Sequence, residues 1–109
     1  MRNERRFFDR APLKLPLLVR LEKDDSVIDA QTEDLGAKGL GISSKDTIPK
    51  VGKVKLKVEI PNRDESLNLD GNIVWSREYF PDGWRAGLAL KEQSIDLVTF
   101  SVLLDKARR

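Results

Sequence analysis

The chain has no cysteine and no histidine, a single methionine and a single tyrosine. Without thiols there is no disulfide framework, no thiolate nucleophile and no cysteine-rich zinc site. Without imidazole the commonest general base and the commonest metal ligand are both missing, which removes most hydrolase and metalloenzyme schemes. Nothing pairs an activated nucleophile with a base, so the sequence reads as a binding protein rather than an enzyme, with no catalytic residue, no metal and no cofactor. Long apolar runs are also absent. Leu17-Leu18-Val19 and Val102-Leu103-Leu104 are far too short to span a bilayer, and no hydrophobic leader follows the basic start. The expectation is therefore a cytoplasmic protein with no membrane insertion. Nor is there a large excess of one charge: 20 Lys and Arg stand against 18 Asp and Glu, a net +2. A duplex-DNA binder that depends on counterion release usually carries a larger and more clustered basic surplus.

What is present is a pattern of short strands. A chain of 109 residues is the size of one domain with one core. Leu13, Leu15, Leu17, Val19 and Leu21 alternate with mostly polar residues, the period of a strand with one buried face. Pro16 cannot donate to a ladder, so this strand is expected along an edge or with a bulge. Lys23-Asp24-Asp25-Ser26 is a turn, and residues 27–34 read as the returning strand. Leu35 to Gly41 holds three glycines, which points to a turn or bulge where main chain approaches something closely. After a loop over residues 46–52, Val54, Leu56, Val58 and Ile60 alternate with Lys53, Lys55, Lys57 and Glu59. That lysine face suits either a phosphate track or protection of an exposed strand edge. Leu67, Leu69, Gly71, Ile73 and Trp75 mark a long strand with a bend expected at Gly71, and Pro81-Asp82-Gly83 turns it into a last strand bearing Trp84, Ala86, Leu88 and Leu90.

The period then changes. Ser94 can cap a helix, Asp96 suits its first turn, and Lys106, Arg108 and Arg109 suit its last. Ile95, Val98 and Val102 share one face, while Leu97, Phe100 and Leu104 form a second apolar stripe that a homodimer would cover. The fold class expected is all-β: a small antiparallel barrel of six or seven strands with a C-terminal α-helix. It divides into a flexible N-terminal arginine arm over residues 1–12 and a barrel with its helix over residues 13–109.

Two stretches carry binding chemistry. Arg5, Arg6 and Arg10 crowd the arm, and guanidinium forks pair bidentately with phosphate or with the O6/N7 edge of guanine. A solvated basic arm is the plainer alternative. In Glu33-Asp34-Leu35-Gly36-Ala37-Lys38-Gly39, a carboxylate at a strand end can accept hydrogen bonds from the N1 and N2 donors of guanine, and the glycines admit main chain to a ligand. Asp beside Gly is also ordinary turn chemistry. Phe7, Phe8, Tyr79 and Phe80 leave open a third possibility, a barrel that stacks single-stranded nucleic acid.

Arg6-x-x-x-Arg10 followed some two dozen residues later by Asp34-x-x-x-x-Gly39, in a chain of this length, resembles the PilZ domain. The segments Gly71 to Trp75 and Trp84 to Leu90 are similar to that family's later barrel strands. The resemblance implies a bacterial signalling protein that binds the second messenger cyclic di-GMP, with Arg5, Arg6 and Arg10 on its phosphates and guanines and Asp34, Gly36 and Gly39 at a guanine edge. It implies an unknown downstream protein partner as well. Gly36 stands where the family has serine, so one side-chain hydroxyl is missing. Some members of the family serve as protein adaptors without the ligand.

Overall fold

The computed structural model describes residues 11–12, 14–35, 39–59, 66–79 and 81–91. Its seven strands are β1 (Ala11–Pro12), β2 (Pro16–Leu21), β3 (Val27–Leu35), β4 (Gly39–Ser44), β5 (Gly52–Glu59), β6 (Ser66–Glu78) and β7 (Trp84–Leu90). In β2 and β5 the alternation in sequence becomes an alternation in burial: Leu17, Val19 and Leu21, then Val54, Leu56 and Val58, point inward while their neighbours face solvent. Between β2 and β3, Asp24 Oδ1 accepts hydrogen bonds from the Ser26 N–H and hydroxyl, and Leu21 N–H donates to Ser26 carbonyl, so the expected polar turn forms.

The sheet runs β1-β3-β2-β5-β6-β7-β4, and β4 returns to pair with β3. Every pairing is antiparallel, so six strands close a barrel and β1 lies on β3 beyond the β2 pairing. The core is the row of inward Leu, Ile and Val side chains from all six, together with Ala86. Closure follows from what the strands must bury. Each has one apolar face, and rolling the sheet on itself hides all of those faces while leaving no long unpaired edge.

Closure changes three expectations. β2 is paired on both sides, and Pro16 is tolerated because it is the first residue of the strand and the β5 ladder begins only at Leu17. β5 is likewise paired on both sides, by β2 and β6, so its lysines guard no edge. The ladder runs undisturbed through Gly71, and the irregularity comes later, between Ile73 and Trp75. That extra residue reverses the facing of the strand: Val74 and Trp75 both lie outside, 55% and 43% exposed, and Ser76 takes the inward place.

The two ends of the barrel differ. One carries the loops 22–26, 45–51 and 79–83, and Ile48 from the middle loop turns back into the core, 1% exposed. Buried Ser76 donates its hydroxyl to the Ile48 carbonyl at 2.7 Å, which satisfies both groups and fixes the plug. At the other end lie β1, the end of β3, the start of β4 and the end of β7. The helix expected after Ser94, with its apolar stripes, lies outside the described residues, as do residues 1–10 of the arm expected over residues 1–12, whose last two residues form β1. Among the described residues no helix is long and apolar enough to cross a membrane.

Candidate functional site

The site is built from a second bulge. Between Thr32 and Asp34 the β3–β4 register shifts by one residue. Thr32 stays inside, fully buried, its N–H donating to Leu15 carbonyl and its hydroxyl accepting from Leu15 N–H, both at 2.8 Å. Leu35 returns inward opposite Leu40. The extra residue therefore sets Glu33 and Asp34 side by side on the outer surface.

Asp34 pairs with Gly41, Gly41 with Gly87, and Gly87 with Trp75, so one row crosses the outside of β3, β4, β7 and β6. Gly39 and Ala89 pair in the next outward row toward the arm's end of the barrel. The two middle positions of the row from Asp34 to Trp75 carry no side chain of their own, and those of their neighbours lie over them. Asp34 Oδ1 accepts a hydrogen bond from Gly41 N–H at 3.1 Å, and a Cβ on Gly41 would stand 2.5 Å from that oxygen. The indole of Trp75 lies over Gly87, where a Cβ would meet Nε1 at 2.1 Å. The face is thus a strip on which one glycine seats a carboxylate and the next a half-exposed indole.

Beside it Glu33 is nearly covered, its side chain 14% exposed. Burial by itself would raise its pKa, but Lys14 donates to Oε1, Ser43 hydroxyl to Oε2 at 2.5 Å and Gln31 amide to Oε2 at 3.2 Å, and together they hold the carboxyl at about 2. Arg85 reaches the same carboxylate at 4.0 Å and stacks on Tyr79, its guanidinium carbon 4.2 Å from the ring centroid. Arg77, directly opposite Arg85 in the ladder, lies over Trp75 at 5.3 Å.

Of the residues singled out from sequence, Asp34 stands at the end of the strip and Gly39 in the strand that floors it. Arg5, Arg6, Arg10 and Gly36 lie outside the described residues, as do Phe7, Phe8 and Phe80. The residues just after the arginine pair are described: in β1, Ala11 pairs with Leu35 and Pro12 with Asp34. Trp75, Arg77 and Arg85 escaped the sequence reading, because only the β4–β7–β6 register brings them to this face. A concavity of about 670 Å³ lies beside Arg85 toward the plugged end. It is lined by charges of both signs, among them Asp29, Asp46, Asp82 and Lys45, and does not include Asp34.

Comparison with family models matches residues 4–102 to the PilZ domain. The chain belongs to the PilZ domain family. A solved structure, the Bacillus subtilis inhibitor of motility MotI/DgrA, is similar in fold, with a TM-score of 0.58 at 16% sequence identity. The likeness covers 93% of this PilZ chain and 48% of that one, so the chain spans about half its length. Comparison with curated proteins found no match.

Proposed function

We propose that this PilZ domain binds cyclic di-GMP on the outer strip between Asp34 and Trp75, and that binding draws the N-terminal arm onto the barrel to present a new surface to a protein partner. The observation that supports the reading most is the β1–β3 register. The residue that follows Arg10 is paired with Leu35, and the next with Asp34 itself, so the arginine motif is rooted beside the acidic one. Asp34 then reads the N1 and N2 donors of a guanine, and Trp75 offers a stacking surface in the same row. Arg5, Arg6 and Arg10 supply charge-assisted contacts to the ligand's phosphates, which are stronger than neutral ones. Gly36 in place of serine removes one neutral hydrogen bond, worth about 0.5 to 1.5 kcal/mol, so affinity falls by up to roughly tenfold without being abolished.

The same Gly36 favours a second reading, a protein adaptor that has given up the ligand. Calorimetric titration with cyclic di-GMP, with GTP as control, separates the two. Saturable binding by the parent and at least tenfold weaker binding by Arg6→Ala and Arg10→Ala are expected. Unchanged affinity in both variants would remove the arginine clamp, and no heat from the parent would leave the adaptor.

A further inference from the structure

Four carboxylates gather at the plugged end of the barrel. Asp29 lies near the start of β3, Asp46 just past β4, Glu78 at the end of β6 and Asp82 in the turn that follows it. Together they line two adjoining concavities, of about 670 and 660 Å³, which share Lys45, Tyr79, Asp82 and Trp84 and so form one groove. Among the described residues no cation pairs with any of the four. Glu33 borders the same groove but is answered by Lys14, and Arg85 is drawn to Glu33 and to the Tyr79 ring. A chain of net charge +2 thus carries an acidic cleft, and a concave wall concentrates the field of such charges. The walls are not only charged. Tyr79 is 52% exposed and Trp84 is half-buried against the core, so ring surface stands beside the acids.

We infer that this groove is the docking site for a protein partner, which enters it with an extended segment rich in lysine or arginine. Charge complementarity selects that occupant: phosphate groups are repelled, and acids spread from β3 to β6 call for a row of cations rather than a single one. Each Lys or Arg lays its aliphatic stem along the rings and carries its charge to a carboxylate. The groove crosses from β3 over β4 and β7 to β6, three strand spacings or about 14 Å. An extended stretch of about five residues covers that span, and cations at every second position along it face the same side. The inference rests on the proposed function only for the existence of a partner, and owes nothing to cyclic di-GMP.

The test is fluorescence anisotropy of labelled hexalysine, with hexaglutamate as control and no cyclic di-GMP present. It compares the parent, Asp29→Asn with Asp82→Asn, and a charge-matched pair outside the groove, Glu59→Gln with Asp70→Asn, each checked by thermal unfolding. Saturable binding of hexalysine by the parent is expected, unchanged in the outside pair and five- to thirtyfold weaker in the groove pair. Should the groove pair fail to fold, Asp46→Asn with Glu78→Gln carries the same expectation. Parent-like affinity in the groove pair, or equal weakening in both pairs, would overturn the docking site, as would binding of hexaglutamate or no binding of hexalysine by the parent. The chain's own arginine arm is the rival occupant. A gain of threefold or more in hexalysine affinity on Arg5→Ala with Arg6→Ala would place the arm in the groove and overturn the partner. Calorimetry with cyclic di-GMP on the parent reads the ligand separately, so failure of the groove and failure of the ligand reading are told apart.

Discussion

Gly41 has no room for a side chain, because the Asp34 carboxylate occupies the space a Cβ would need. Gly41→Ala must therefore turn Asp34 away from its seat on the Gly41 N–H. We expect affinity for cyclic di-GMP to fall about tenfold with circular dichroism unchanged, and parent-like binding would show that the position of this carboxylate is irrelevant. Glu33 makes a different prediction. Its folded pKa lies near 2, below the ordinary value of 4.5, so the ionised form is favoured by folding. That stability is fully present above about pH 4.5, falls as pH drops toward 2, and is gone below it. Glu33→Gln should flatten the loss of melting temperature across this window, and an unaltered pH profile would count against the Lys14 and Ser43 contacts as its cause. From sequence alone Asp34 was legible, since a short motif marks it. Glu33 was not, because what distinguishes it is the bulge, and Thr32-Glu33-Asp34 carries no glycine to announce one.

Strands with strict alternation were legible for a simple reason: a one-residue slip would move every Leu and Val of β2 or β5 into water. β6 shows where that logic ends. Counting by twos from Leu69 through Ile73 puts Trp75 inside, but Val74 is an ordinary strand former and gives no sign that an extra residue is absorbed there. The indole was therefore expected in the core and is found on the surface, together with the two arginines whose neighbourhood depends on it. The lysines of β5 tell a related story. With both edges of that strand occupied, Arg20 faces Lys55 across the β2–β5 ladder, and Asp70 answers Lys55 from the other side at 3.2 Å. Arg20→Glu should replace a repulsion with an attraction and raise stability by roughly 0.5 to 1 kcal/mol in urea unfolding. A decrease would mean that the two cations are kept apart in solution.

At the scale of the whole barrel, the core is plugged at one end and the proposed binding strip starts from Asp34 near the other. Ile48 is the plug, and its truncation leaves a cavity under a loop that Ser76 holds from below. Ile48→Ala should cost about 2 to 5 kcal/mol in urea unfolding. The affinity for cyclic di-GMP should stay within a factor of two at temperatures where the variant is folded, and a parallel loss of both would show the ends to be coupled. The barrel itself was foreseen from the count of short strands and turns. Its closure through β3 and β4 was not, because that contact depends on how far the sheet curls, and no local stretch of sequence encodes it.

The short pairing of Ala11 and Pro12 with the end of β3 acts as a mooring. Ala11 lies five positions after Arg6, and five steps of chain reach at most about 18 Å even when fully drawn out. Any group on that leash stays in the neighbourhood of Asp34 before a ligand arrives, at the millimolar local concentrations that short tethers give. On the proposed reading, capture would need one encounter from solution rather than two, and an insertion between Arg10 and Ala11 would lengthen the tether without touching either motif.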